Sequence, residues 1–215
     1  MKNACKAILR LMSFVAVLPA LACFCVHRSL AGADSAVTSW SQLLSLLPGK
    51  TGVYLRNAFY CVALKSCDVN ASIGFGTLFS HSGTSIGRTA YIGNFCSIGD
   101  VNIGDDVLIA SHVSIMNGSH QHGITSLEIP VREQAGVYHP ISIGDDTWVG
   151  EKATVAANVG KHCVVGAGAL VLGDLPDYAI AVGVPARIIG DRRELANPES
   201  QDCQTKMSTS RCSVR

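Results

Sequence analysis

Isoleucine and valine recur along the middle of this chain at a spacing that suits neither an α-helix nor an ordinary strand. They stand at Ile86, Ile92 and Ile98, then at Ile103, Ile109 and Ile115. After a gap come Ile143, Val149 and Val155, and finally Val159, Val165 and Val171. Within each trio the step is six, and the next residue is glycine at eight of the twelve positions and alanine at two more. A fainter unit starts at Ile73-Gly74. A helix repeats about every 3.6 residues and a strand about every 2. A period of six instead predicts a β-helix, in which three hexapeptides close one three-sided coil. Each inward Ile or Val then stacks on its equivalent one coil above. The small residue after it is expected to let the chain turn the corner without a Cβ clash. The step slips to five between Ile98 and Ile103 and to four between Val155 and Val159, which predicts a shortened corner at Ala156-Ala157-Asn158.

The remaining segments follow other patterns. Residues 117–142 interrupt the repeat with Asn117-Gly118-Ser119-His120-Gln121-His122-Gly123 and run to His139-Pro140. An excursion of 26 residues from a regular solenoid is usually functional. Pro176, Gly183 and Pro185 end the coil, Ala186 to Leu195 reads as a short closing helix, and residues 196–215 read as a polar, disordered tail. At the other end, Lys2, Lys6 and Arg10 precede an apolar run from Leu11 to Val26. Ser39 is placed to cap a helix from Trp40 to Leu47, which Pro48-Gly49 ends. Val53, Leu55, Phe59, Tyr60, Val62 and Leu64 then alternate with Lys50, Arg56 and Asn57. That pattern fits helices lying in a lipid headgroup layer, or helices packed on the main domain. The expected organisation is a membrane-associating helical segment over residues 1–70, a β-helix domain over 71–195 and a tail over 196–215.

Composition narrows the function classes. With 215 residues and a formal charge of +1, the chain carries no basic stripe and no aromatic platform for nucleic acid. Its 21 glycines and few aromatics suit tight turns. Nine cysteines without a paired CxxC spacing argue against structural zinc and read as reduced thiols, mostly buried. Gly166-Ala167-Gly168 with Gly173 imitates a dinucleotide loop, but the spacing is wrong and the surrounding period is six.

The Ile-Gly repeats and their excursion resemble the hexapeptide-repeat acyltransferases, among them maltose and galactoside O-acetyltransferases and the acetyltransferases of exopolysaccharide biosynthesis. Ile143-Gly144-Asp145-Asp146-Thr147-Trp148-Val149-Gly150 looks like their Trp-containing coil. Val165-Gly166-Ala167-Gly168-Ala169-Leu170-Val171 looks like their CoA-side coil, and residues Asp177 to Arg187 look like their closing segment. The resemblance covers residues 70–192. It implies an all-β fold, the left-handed parallel β-helix, and a homotrimer with active sites in the clefts between neighbouring subunits. It implies acetyl-CoA or another acyl-CoA as co-substrate, no permanently bound cofactor, and a sugar-like acceptor from polysaccharide biosynthesis.

The resemblance also implies site residues. A His near the start of the excursion takes the acceptor proton, and both His120 and His122 match. Trp148 flanks the CoA tunnel, Ala167 and Gly168 offer backbone groups to the pantetheine arm, and Arg187 meets a CoA phosphate. The family's Thr-Lys after the last coil is Leu172-Gly173 here, which removes one phosphate contact. The related γ-class carbonic anhydrases hold a metal on two His five apart. Glu151 and Ala156 stand at those positions, so no metal site is expected. The alternatives are a non-catalytic β-helix trimer acting as a binding or scaffold module, and N-acylation of an amino sugar or antibiotic.

The first 70 residues carry a conflict. Ala31-Gly32-Ala33 offers a signal-cleavage pattern, and cations before an apolar run keep the N-terminus inside. Cleavage or a single crossing would strand the β-helix away from cytoplasmic acyl-CoA. The run of sixteen residues is shorter than the ~20 a spanning helix needs and contains Pro19. A monotopic attachment to the inner face of the cytoplasmic membrane, with the β-helix in the cytoplasm, is therefore expected.

Overall fold

The structure, a computed structural model, describes residues 2–118 and 121–195. The segment read as a disordered tail lies outside the described residues. From Ser66 onward the chain winds as a parallel β-helix with three faces. The first face stacks Ser66–Cys67, Ser85–Ile86, Val101–Ile103 and Ile141–Ile143. The second stacks six parallel strands: Ser72–Ile73, Tyr91–Ile92, Leu108–Ile109, Trp148–Val149, Val164–Val165 and Ala179–Val182. The third runs from Leu78–Phe79 through Ser97–Ile98, Ser114–Ile115 and Thr154–Val155 to Leu170–Val171.

The register is the one the repeat predicts. Ile92 pairs with Ile109, Ile109 with Val149 and Val149 with Val165, and the other faces stack Ile and Val in the same way. All twelve repeat positions are at most 4% exposed. Burying such a side chain stabilises by roughly 1.5–3 kcal/mol, so the columns form the core. The expected short corner is present: the chain bends at Ala157 and reaches Val159, which bridges to Ile143.

Glycine avoids a Cβ clash as expected, but the clash is with the next coil and not with the turn itself. Gly87 and Gly144 lie outside the positive-φ region. A Cβ on Gly87 would sit 2.5 Å from the backbone of Gly104, and one on Gly144 would sit 2.5 Å from Lys161 N. The next coil fills that space, so close approach of backbone, and not turning freedom, selects glycine here. Turning is done by other residues. Thr89, Phe95, Asp106, His112, Asp146, Lys152, His162 and Tyr178 have φ between 50° and 67°. A left-handed residue with a side chain is uncommon and costs about 1–2 kcal/mol. Repetition offsets some of that cost by stacking equivalent corners: Phe95 lies on His112 at 5.3 Å and His162 on Tyr178 at 5.0 Å.

Three helices close the first coil: α1 (Lys2–Ala31), α2 (Ala33–Ser45) and α3 (Gly49–Ala63). Ser39 lies inside α2, where its hydroxyl donates to Ser35 O, so it does not cap the helix. The helix starts earlier because Gly32 lets the chain turn out of α1 with φ 89°. Helix α1 continues through Pro19 for 30 residues.

Helix α3 follows the second of the two expectations and packs on the main domain. Arg56 and Asn57 are buried, whereas Val62 is 48% exposed. Arg56 Nε donates to Ile73 O at 3.1 Å and Nη1 to Leu47 O at 2.6 Å. The Asn57 amide donates to Asp68 O and Ala71 O, both at 3.0 Å. Arg56 thus serves Ile73 O at the open end of the solenoid and Leu47 O of the turn before α3, while Asn57 serves Ala71 O and adds a second donor to Asp68 O. Burial lowers the Arg56 pKa and pushes the Tyr60 hydroxyl up to about 12. Cys96 and Cys163 are buried thiols as expected, but Cys23 and Cys25 are exposed on α1.

The far end also differs from expectation. Arg187–Asp191 is a strand, antiparallel to Ala179–Val182, and the closing helix is only α4 (Arg192–Leu195). The top coil presents an unpaired edge, and a pairing strand satisfies it better than a helix.

Candidate functional site

Each coil has three corners, and the excursion leaves from the one between the third and first faces, between Ser114–Ile115 and Ile141–Ile143. At its root Asn117 is 4% exposed. Its side-chain oxygen accepts the Asp100 N–H, and its NH2 lies 3.1 Å from His81 Nε2. The hydroxyl of Ser80 sits 2.8 Å from His81 Nδ1. An open cleft of about 190 Å³ lies beside this group, lined by His81, Ser97, Ser114, Asn117, Gln121 and Tyr138. Hydroxyls, amides and an imidazole on one wall suit a ligand rich in hydroxyl groups.

The two candidate bases stand at this corner in sequence. His120 lies outside the described residues. His122 is exposed, with its ring edge-on to Tyr138 at 6.5 Å, next to Gln121 of the cleft. His81 was not singled out from the sequence. A signal for it existed: Phe79, Ile98 and Ile115 share one inward column, so two residues on, His81, Asp100 and Asn117 are equivalent positions in successive coils.

Arg187 begins the last strand of the second face, paired with Val182, and the cleft it lines reaches the same corner two coils further on. The corner is carried upward by Asn158, which takes the Ser142 N–H at 2.9 Å, and by Asp174, which takes the Asn158 N–H at 2.9 Å. Above it, Arg187 lines a cleft of about 300 Å³ with Leu172, Gly173, Asp174 and Pro185. The guanidinium is exposed and, among the described residues, donates to its neighbouring carbonyl, Ala186 O, at 2.9 Å. It can swing to an anionic ligand at small cost.

The other three site residues stand elsewhere on the prism. Trp148 is 51% exposed on the second face, in register with Leu108 below and Val164 above. Ala167 and Gly168 form the corner between the second and third faces, with Gly168 at φ 67°. The Gly168 N–H already donates to Glu151 O at 2.8 Å, so it is not available to a pantetheine amide as expected. The second face lies opposite the corner that bears the excursion. One subunit therefore keeps Trp148 and the corner that bears the excursion on opposite sides.

Charge is concentrated at the third kind of corner, between the first and second faces. Lys161 Nζ is 2.9 Å from Asp145, while His162 Nδ1 and Arg192 Nη1 are 3.0 and 2.9 Å from Asp146. The Lys161 bond holds the Asp145 carboxyl below its ordinary pKa, and the His162 bond does the same for Asp146. Each carboxylate also ties its coil to the next, so this ladder serves the stack.

Comparison with known proteins supports the same reading. Residues 140–172 match the family model described as a hexapeptide repeat of succinyl-transferase. A "probable acetyltransferase" of Mycobacterium tuberculosis is 38% identical over 96 residues, covering 44% of this chain and 31% of that protein. Galactoside O-acetyltransferase of Escherichia coli is 34% identical over 127 residues, covering 56% of this chain and 60% of that one. The chain thus spans less than two thirds of either relative. The solved galactoside acetyltransferase in complex with coenzyme A superposes with a TM-score of 0.58 at 25% identity, over 76% of this chain and 84% of that one. The β-helix is of the left-handed kind, with about six turns. Its repeat domain resembles that of the hexapeptide-repeat acyltransferases.

Proposed function

We propose that this left-handed β-helix of hexapeptide repeats is an acyltransferase that moves an acetyl group from acetyl-CoA to a hydroxyl of a sugar or polysaccharide precursor. The observation that carries the proposal is the cleft at the root of the excursion. It places hydroxyl and amide side chains where they can hold a polyol, beside the loop that bears His120 and His122. In a ternary complex one of these imidazoles takes the proton from the acceptor hydroxyl as its oxygen attacks the thioester carbonyl. CoA leaves as the thiol. The galactoside acceptor and the CoA complex named for relatives support both substrates.

The active unit is a homotrimer. Trp148 and the exposed groups of Ala167 and Gly168 from one subunit face the His loop and Arg187 of its neighbour, and acetyl-CoA lies between them along the axis. Mixed trimers test this. A chain with His120→Ala and His122→Ala is co-purified with a chain carrying Trp148→Ala, each inactive alone. Activity recovered in the mixture supports the shared site, and none recovered at any ratio overturns it.

Helix α1 favours monotopic attachment at the cytoplasmic side. It is the one described helix long and apolar enough to cross a membrane, with a mean hydropathy of 2.2 over its most apolar stretch. One side packs on the protein through Ser13, Val17, Leu21 and Phe24, so it cannot span alone without dragging α2 and α3 along. The other side exposes Ile8, Leu11, Met12, Val15, Leu18 and Val26. A helix packed on one side and apolar on the other suits the membrane interface.

A further inference from the structure

The packed stripe of α1 reads Lys6, Arg10, Ser13, Val17, Leu21, Phe24, with steps of three and four that keep one helix face. The last four are buried or pack inward, but the first two are cations. Among the described residues they meet no acid. They line a cleft of about 310 Å³ between α1, α3 and the first coil, together with Lys50, Tyr54 and Asn70. No carboxylate lines it among the described residues. The nearby Asp68 is held by the backbone and side-chain amides of Asn70. Arg10 Nη2 donates to Asn70 Oδ1 at 2.7 Å, which fixes the guanidinium, while Arg10 Nε is buried with no hydrogen-bond partner.

Three like charges in one cleft repel each other, and a buried donor left unpaired is costly. An anion with several acceptor oxygens sitting among them removes the repulsion and gives the cations charge-assisted partners. We propose that this cleft binds the phosphate headgroup of an anionic lipid. The lipid source follows from the opposite side of the same helix. There the exposed apolar stripe runs from Ile8 to Leu30, about 33 Å at 1.5 Å per residue. A helix about 10 Å across, immersed by about 5–10 Å on that stripe, carries its other face at headgroup level. The cleft then opens where lipid phosphates lie, and it sets how the β-helix stands on the membrane.

The inference rests on the monotopic reading above, and flotation of the full chain separates the two. Vesicles of phosphatidylcholine alone report the apolar stripe, and vesicles with added phosphatidylglycerol report the cleft as well. Removing the three cations as Lys6→Gln, Arg10→Gln and Lys50→Gln is expected to weaken binding to the anionic vesicles about 100-fold while leaving binding to neutral ones unchanged. Lys50→Gln alone is expected to give about a 5-fold loss, which serves if the triple variant melts early. Equal binding of wild type and variant to anionic vesicles overturns the site but keeps the attachment. Wild type that floats with neither vesicle overturns both. Inorganic phosphate that displaces the protein from anionic vesicles at low millimolar concentration, by the same cations, overturns the lipid as source.

Discussion

The coil from Ile98 to Ile115 and the excursion that follows it make opposite use of apolar residues. Within the coil, Ile98, Val101, Ile103, Val107, Ile109, Val113 and Ile115 are all at most 4% exposed. Within the excursion, Ile124 is 78% and Leu127 99% exposed, and Ile129, Val131, Val137 and Tyr138 are each about half exposed. The coil is complete as soon as another coil stacks on it, because every inward position meets its own equivalent. The excursion has no equivalent in the next coil. Its apolar side chains are left exposed, where the proposed trimer would cover them. Stability therefore resides in the repeat, and the proposed site lies where the repeat is broken.

The sharpest way to break this comparison is to truncate one residue on each side of it. Ile109→Ala opens a cavity between Ile92 and Val149 and is expected to lower the unfolding free energy by about 2–5 kcal/mol. Leu127→Ala is expected to leave the coil within about 0.5 kcal/mol while weakening assembly. Urea denaturation with size-exclusion chromatography reads both, and comparable losses in the two variants would erase the distinction.

The chemistry should respond in the reverse sense. His120→Ala or His122→Ala is expected to lower turnover by about 100-fold or more, with the melting temperature unchanged, because the loop adds little to the stack. Near-normal turnover in both single variants would move the base elsewhere, with His81 the next residue to test. A smaller effect is expected at the top of the same corner. Arg187→Ala should raise the KM for acetyl-CoA about 10-fold with little change in kcat, since a phosphate contact binds ground and transition states alike. An unchanged KM would show that the guanidinium points away from the donor.

The smallest effect concerns the carboxylate ladder of the coils. Asp145 and Asp146 have lowered pKa values in the fold, so their contribution is present above the ordinary carboxylate pKa and is lost as the pH falls through it. Melting temperature should drop below about pH 4, and Lys161→Gln should make that drop shallower. The groups are largely exposed, so solvent screens the gain and the change is modest. A Lys161→Gln profile that overlays the wild type would remove the ladder from the stability of the coil.

Read from the sequence alone, the period of six determined the coil, its three faces, its register and its buried columns. A repeat forces each Ile and Val to meet its own kind, so local spacing already implies the long-range contact. The resemblance of the Trp148 coil and the Arg187 segment named residues to look at, and the structure shows where on the prism each of them stands. Other features had no period to betray them. Arg56 and Asn57 look like the polar side of an amphipathic helix, and only the open end of the solenoid, with carbonyls in need of donors, draws them inward. The strand Arg187–Asp191 replaced the expected helix because an unpaired sheet edge lay within reach. His81 joins the site through its place one coil below Asp100 and two below Asn117. Only the tertiary structure decided that Trp148 and the His loop occupy opposite sides of one subunit. A six-residue period carries no record of which corner an insertion leaves from until the coils are stacked.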